Sequence, residues 1–360
     1  MRIGIDASIL ATPYESGLKN YQRNLIIALA KIDRKNRYYI FCPKKISIPK
    51  QNNFKLVLLP SWLPILKRQL LIPYLSHILD IDLFHFPDVW GSIIPPCRKT
   101  IVTLQDLAPT SSYPKIFRSP KHYISMVINN FIKKFTLKHA SKIIVPSKFI
   151  KNEYLAKKSD DSRLTVIGNG LSGEFIKNNK YKRKDFFMAF SDFSPRKNID
   201  GVLSAYQLFR NTSKKDIKLI VVSSTNYPKS QILAKARSLE IEDSVSVMVG
   251  VSTSTLVRLY SESVCLLYPS FYEGFGLPIL EAMACGCPVV TSNYGSMKEV
   301  SGDAAILINP RSPASIAKGM LQVITNSRLK KLLIKRGIKR SLDFSWEGYA
   351  KKLLLIYYEV

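Results

Sequence analysis

Short uninterrupted apolar runs recur along the chain. They are separated by stretches in which apolar residues return every three or four positions. In the first half the runs are Arg2–Asp6, Tyr38–Cys42, Phe54–Leu58, Asp82–Phe86, Thr100–Leu104, Lys142–Pro146 and Leu164–Ile167. In the second half they are Phe186–Phe190, Ile217–Val222, Val245–Val249, Val264–Tyr268, Pro288–Thr291 and Ala305–Ile308. Their length and their β-branched and aromatic content predict buried strands. Helical periodicity fills gaps such as Asn20–Ile32, Ile199–Phe209, Ser312–Ile324 and Arg328–Ser341. Strands that are apolar throughout, alternating with helices, predict parallel sheets covered on both faces. One doubly wound sheet rarely holds so many strands. The pattern therefore predicts an α/β protein with two Rossmann-like domains, 1–178 and 179–345. The polar segment Ile176–Asp185 separates them. Two such domains facing each other leave a cleft at the carboxyl ends of their strands, where ligands of open α/β sheets bind.

The length of 360 residues agrees with two domains of about 150 each. A hydrophobic content of 46% excludes a disordered chain. The net charge of +28 points to a polyanionic neighbour: nucleic acid, an anionic membrane or a phosphorylated substrate. The five cysteines are scattered without paired spacing, so no zinc site or disulfide framework is expected and a reducing cytosol is. The opening MRIGIDASIL lacks the pattern of a signal peptide. No run of about 18 apolar residues predicts a membrane span.

The most informative segment is YPSFYEGFGLPILEAMACGCPVVT, Tyr268–Thr291. A strand ends at Tyr268, a loop carries Glu273, Gly274, Phe275 and Gly276, and Pro278 is placed to open a helix. Glycines allow the backbone to approach a ligand closely. A helix start offers unpaired N–H groups to a phosphate. Glu273 and Glu281 can then accept hydrogen bonds from sugar hydroxyls at two ends of one bound molecule. A plain strand–turn–helix connection with two solvated acids accounts for the spacing equally well. Cys285 and Cys287 have no nearby histidine and read as small packing residues rather than nucleophiles.

This segment resembles the E-x7-E signature of the family-4 retaining glycosyltransferases, which have the GT-B fold, and MRIGIDASIL and VTLQDLAP look most like their mannosyltransferase-type members. FMAFSDFSPRKNIDGVLSAY, VPSKFIKNEYL, VIGNGL and EVSGDAAILINP are similar to other segments of that family, so the resemblance spans nearly the whole chain. It implies transfer of a hexose from a nucleotide-sugar donor with retention of configuration and without a metal. It also implies an acceptor-binding N-terminal domain, a donor-binding C-terminal domain, and a last helix, 346–360, returning to the N-terminal domain. By resemblance Glu273 contacts the hexose, Glu281 the ribose, and Gly274, Phe275, Gly276 and Leu277 line the sugar and phosphates. Arg196 and Lys197 match the basic pair that stabilises charge on the leaving diphosphate. Ser16-Gly17-Leu18 resembles a glycine-rich loop near the diphosphate, which makes Gly17 a candidate. The bland alternatives are a simple turn at Gly17 and two surface charges at Arg196–Lys197.

One position departs from the family. In VTLQDLAP the usual histidine is Gln105, followed by Asp106. Glutamine hydrogen-bonds a sugar hydroxyl but carries no proton near pH 7. His85 is open to two readings, an assisting group or a structural residue at a strand end. Asp80-Ile81-Asp82 has the spacing of a metal motif but sits where a helix gives way to a strand.

Trp62, Lys67, Arg68, Lys133 and Lys134 belong to basic segments interleaved with aromatics, Ser61–Leu75 and Pro114–Lys142. Such segments suit the anionic inner face of a membrane. Core helices with solvated basic faces are the alternative. The expected partners are a nucleotide sugar, with GDP-mannose as the guess, a glycan or lipid-linked acceptor, and that membrane surface. Bacterial surface polysaccharide synthesis, at a cytoplasmic and peripheral membrane location, is the setting. No aromatic RNA-binding strand, zinc-finger spacing or P-loop supports a nucleic-acid partner. A catalytically weak or dead homologue that binds nucleotide sugars remains an alternative, as, less favoured, does a nucleic-acid-binding protein.

Overall fold

A computed structural model describes residues 1–13, 16–60, 67–107, 120–157, 160–192, 194–213, 215–223 and 229–360, without the side chains of 67 and 120–126. Thirteen strands and twelve α-helices are found among them. The strands form two all-parallel sheets, and the chain divides into two compact units. One unit runs over Met1–Leu107, continues from the helix at Pro120 to Gly170 and takes back Ser345–Val360. The other is Leu171–Phe344. The change of unit at Gly170–Leu171 thus precedes the polar 176–185 stretch expected to mark it.

The first unit holds β1 (Arg2–Asp6), β2 (Arg37–Cys42), β3 (Phe54–Leu58), β4 (Leu83–Phe86), β5 (Lys99–Thr103), β6 (Lys142–Val145) and β7 (Leu164–Val166). Their order is β3-β2-β1-β4-β5-β6-β7. β4 is buried at every position, which is why its sequence, LFHF, shows no polar alternation. Helix α1 (Gly17–Ile32) starts where Ser16 Oγ accepts the Lys19 backbone N–H, and it buries Tyr21, Leu25, Ile26 and Leu29. The remaining helices of this unit are α2 (Ile72–Ile78), α3 (Pro120–His139), α4 (Lys148–Leu155) and the last helix of the chain, α12 (Trp346–Glu359).

Helix α12 belongs to the core of this first unit. Trp346, Tyr349, Leu353 and Tyr357 pack with Ile3, Ile5 and Tyr21. A buried polar chain fastens it: Tyr349 OH lies 2.5 Å from Tyr21 OH, which lies 3.2 Å from Thr103 Oγ1. His85 spans the same region, with Nδ1 2.7 Å from Tyr357 OH and Nε2 2.9 Å from Thr103 Oγ1. Burial pushes its imidazole down to about 3. His85 is thus a neutral structural residue, both of its nitrogens being committed.

The second unit holds β8 (Phe186–Ser191), β9 (Lys218–Ser223), β10 (Val245–Val249), β11 (Leu266–Tyr268), β12 (Val289–Ser292) and β13 (Ile306–Ile308). Their order is β10-β9-β8-β11-β12-β13. Helices α5 (Ile199–Thr212), α6 (Lys229–Ser238), α7 (Thr253–Glu262), α8 (Leu277–Ala284), α9 (Gly295–Ser301), α10 (Pro313–Thr325) and α11 (Ser327–Ser341) complete it. Phe187, Tyr206, Phe209 and Leu267 centre one apolar cluster, and Leu266, Tyr268, Leu280 and Met283 the other. The two clusters use alternate residues of β8 and β11, one on each face of the sheet.

Candidate active site

The site is built at the carboxyl edge of the second unit's sheet. After β8 the chain makes a tight turn over Pro195–Lys197 and reaches Asn198, whose φ of 56° lies in the left-handed region that asparagine tolerates. Asn198 is buried and its Nδ2 donates to Pro269 O at 3.0 Å and Pro310 O at 2.7 Å. One side chain therefore ties together the loops that follow β8, β11 and β13. It directly follows Arg196 and Lys197, and its role depends on a left-handed conformation and on distant carbonyls that the local sequence does not show.

Arg196 and Lys197 converge on Glu273. Arg196 Nη1 lies 2.9 Å from Glu273 Oε2, and Lys197 Nζ 2.7 Å from Oε1. Tyr268 completes the cluster: its hydroxyl accepts from Lys197 Nζ at 2.7 Å and donates to Glu273 Oε1 at 2.9 Å. The local sequence marks Tyr268 only as the last residue of a strand. Glu273 also receives a fixed backbone, because Ser296 Oγ donates to its carbonyl at 2.7 Å.

The electrostatics follow from burial and charge. Burial alone would raise the Glu273 carboxyl, but Lys197 and Arg196 more than reverse it and hold it below the ordinary carboxylate value. Burial likewise works against the Lys197 ammonium, and Glu273 overrides it, so Lys197 is charged throughout the physiological range. The side chains of Arg196, Lys197 and Glu273 are 21%, 12% and 8% exposed. They are not the surface charges of the bland reading. Two cations against one carboxylate leave the cluster with net positive charge.

Gly276, with φ of 100°, caps α8, and Pro278 occupies its first turn. A side chain at Gly276 would be strained in that conformation. Phe275 is buried and meets the Phe344 ring edge-on at 5.7 Å between centroids. Leu277 begins the helix. Glu281 lies on α8 and accepts a hydrogen bond from Tyr260 OH at 2.8 Å. Burial, opposed by that bond and by Lys197, raises its carboxyl to about 7. Glu273 and Glu281 thus differ in kind: one is ion-paired and ionised, the other half-protonated near neutrality. Cys285 is buried with its thiol pushed up to about 12, and Cys287 is buried as well, as packing residues are.

The first unit carries the other candidates. Gly17 is the first residue of α1, and a Cβ added there would meet open space. Gln105 follows β5 and its Oε1 accepts from Asn169 Nδ2 at 2.9 Å. Asp80, in a left-handed conformation with φ of 49°, pairs with Arg2 at 2.9 Å, and Asp82 accepts from the Arg2 backbone N–H. The two acids shape a turn, and among the described residues no cluster of metal-ligating side chains occurs.

Of the membrane candidates, Arg68 is not a surface cation. Arg68 lies between two buried acids, 2.9 Å from Asp6 and 3.5 Å from Asp88, and donates to the Trp90 carbonyl. Its charge is spent inside the first unit, since Asp6 and Asp88 offset its burial. Lys133 is half-buried, and burial holds its ammonium below its usual value. Trp62 and the Lys67 side chain lie outside the described residues. Lys134 is exposed on α3, as are Val127, Ile128 and Phe131.

Two family models match in succession. "Glycosyltransferase Family 4" covers residues 16–174, and "Glycosyl transferases group 1" covers 172–340. The chain belongs to glycosyltransferase family 4. Among its relatives, the O-antigen chain mannosyltransferase B of Escherichia coli is 36% identical over 163 residues, 45% of this chain and 43% of that protein. The O-antigen chain mannosyltransferase RfbU of Salmonella typhimurium is 30% identical over 219 residues, 60% of this chain and 58% of that protein. The chain thus spans about half the length of these relatives. Anabaena HepE, solved in complex with UDP-glucose, covers the whole of this family-4 chain with a TM-score of 0.76 at 16% identity. The fold is GT-B, two parallel-sheet domains of α/β type.

Proposed function

We propose that this protein transfers a hexose, with mannose first among the candidates, from a nucleoside-diphosphate donor to a glycan or lipid-linked acceptor of a bacterial surface polysaccharide, with retention of configuration. The observation that carries the reading is the Arg196–Lys197–Glu273 cluster beside the start of α8. Its net positive charge, held in place by a buried carboxylate, suits a diphosphate whose charge grows as the glycosidic bond breaks. The α8 start adds a favourable dipole. With those groups supplied by the chain, the reaction is proposed to run without a metal. The O-antigen mannosyltransferase relatives and the HepE complex with UDP-glucose support the substrate class.

In this scheme Arg196 and Lys197 face the diphosphate and Glu273 orients them and the hexose. Gly274, Phe275, Gly276 and Leu277 line the sugar and phosphates, and Glu281 accepts hydrogen bonds from the ribose. Gly17 lies near the diphosphate and Gln105 near the hexose. A departing phosphate oxygen takes the acceptor proton, so Gln105 has no proton to carry. The exposed Val127, Ile128, Phe131 and Lys134 of α3 form the element proposed to rest on an anionic membrane surface. No helix among the described residues is long and apolar enough to cross a membrane.

The test is a nucleotide-sugar screen by thermal stabilisation, followed by NMR of the product's anomeric centre. A ligand at about 100 times its Kd adds about 2.7 kcal/mol of apparent stability. GDP-mannose is expected to stabilise most and to give an α-linked product. Stabilisation by another nucleotide sugar replaces the mannose assignment. A β-linked product from an α-linked donor refutes retention. Stabilisation by none refutes the transferase reading.

A further inference from the structure

Helix α11, SRLKKLLIKRGIKRS, carries seven cations and no acid. Three of the seven are engaged within the second unit. Arg336 lies 3.4 Å from Asp303, Arg340 lies 3.1 Å from Asp343 and donates to the Val300 and Glu299 carbonyls, and Lys330 is half-buried. The other four, Arg328, Lys331, Lys335 and Lys339, are exposed, and among the described residues no acid forms an ion pair with them. At about 3.6 residues per turn these four fall within about 80° of arc and along about 16 Å of helix axis. The orientation of that face is fixed by packing on the other side. Leu333 and Gly337 are buried, and a Cβ at Gly337 would crowd Met283 of α8. The exposed Lys177 adds charge at the flank, since its side chain and Ile334 of α11 both border Gly286.

Two features of this face point to its occupant. Lys331, Lys335 and Lys339 stand four residues apart, a spacing at which like charges repel. No acid offsets that repulsion, so an anionic surface laid on the helix would relieve it. Leu332 and Leu342 lie on the same face and are 40% and 76% exposed, Leu342 keeping helical backbone just past the helix end. Cations ranked along a helix with leucines between them match a surface that offers anionic headgroups over an apolar layer. A nucleic acid would engage the cations alone, and the helix has no aromatic side chain on which a base could stack. We propose that this face of α11 rests on an anionic phospholipid surface. The surface belongs to the second unit alone, and the inference stands apart from both the transferase reading and the reading of α3.

The test is sedimentation of the full chain with vesicles of equimolar phosphatidylglycerol and phosphatidylcholine, beside vesicles of phosphatidylcholine alone. Each cation near an anionic bilayer raises partitioning by about fivefold. Lys331→Gln/Lys335→Gln/Lys339→Gln should therefore lower partitioning to the anionic vesicles by at least about tenfold. It is made both in the parent and in a Phe131→Ser/Lys134→Glu background, so that α11 is read without α3. Lys218→Gln/Lys229→Gln/Lys235→Gln removes the same charge from other exposed positions of the second unit and should leave partitioning nearly unchanged. Leu332→Ser/Leu342→Ser keeps every charge and should lower it severalfold. Unfolding in urea and binding of nucleotide sugar should be unaltered in all three, because none of these side chains lies in the Arg196–Lys197–Glu273 cluster. Equal losses in the two lysine triples would show that net charge alone drives binding, and overturn the proposal. Undiminished partitioning of the α11 triple in both backgrounds overturns it as well. Unchanged partitioning of the leucine variant, or tighter binding of duplex DNA or polyglutamate than of the vesicles, would overturn the lipid assignment.

Discussion

Replacing Lys197 with methionine isolates what the cation contributes to the buried cluster. Met fills much of the lysine's volume and removes its charge. Lys197 Nζ makes two 2.7 Å contacts, to Glu273 Oε1 and to Tyr268 OH. Hydrogen bonds to charged groups contribute about 1.5–3 kcal/mol each. Breaking a buried ion pair by removing one partner costs about 3–5 kcal/mol. Arg196 still faces Oε2 at 2.9 Å and Tyr268 still donates to Oε1, so the expected loss at pH 7 is lower, about 2–3 kcal/mol. The pH dependence gives the sharper test. In the parent, Glu273 titrates below its ordinary value, so its contribution is present above the unfolded pKa and is lost as pH falls through the folded pKa. In Lys197→Met, burial is opposed by less charge and the Glu273 carboxyl rises. The folded variant then binds a proton more readily, and its deficit shrinks as the medium is acidified. Urea unfolding, read by hydrogen exchange in β8 and β11, reports on this unit, because Trp90 and Trp346 both lie in the other one. The double variant Lys197→Met/Glu273→Gln removes the stranded charge and should recover most of the loss. A loss below about 0.5 kcal/mol at pH 7, or one equal at pH 4.5 and pH 7.5, would refute the account of a buried, mutually dependent cluster.

Glu281→Gln should remove a pH dependence of opposite sign. The parent carboxyl is raised to about 7, so parent stability declines between about pH 5 and pH 7, and the variant's profile should be flatter there. Coincident profiles would contradict it. Glu281→Ala is expected to weaken nucleoside-diphosphate binding by about 1.5–3 kcal/mol, measured by calorimetry. Arg68→Ala strands the buried Asp6 and Asp88 and should destabilise the first unit by about 3–5 kcal/mol, followed by tryptophan fluorescence in urea. A neutral substitution would return Arg68 to the surface charges. Phe131→Ser/Lys134→Glu should lower binding to anionic vesicles without changing unfolding in urea, and unaltered vesicle sedimentation would remove α3 from the membrane reading.

The sequence by itself determined the layout of this protein. Each of the thirteen apolar runs became a strand; the central ones are buried on both faces and need apolar residues at nearly every position, and that pattern is local. Pro278 marked a helix start through its own fixed backbone, which is also local, whereas the capping roles of Ser16 and Gly276 appear only in the folded chain. Glu273, Arg196 and Lys197 were legible as chemistry-bearing residues through the resemblance of their segments to the family, their place in loops after predicted strands alone leaving a plain turn or surface charges open. Their mutual contact was not, since Lys197 and Glu273 are 76 positions apart. Burial was the other quantity withheld. Arg68 reads as a surface cation in its own segment, and only folding brings Asp6 and Asp88 to it. The two glutamates look alike in sequence, yet two cations outweigh burial at Glu273 and hold its carboxyl down, while at Glu281 burial outweighs the Tyr260 hydroxyl and raises it. Charge state and ion pairing depend on distances and desolvation across strands, and those exist only in the folded chain.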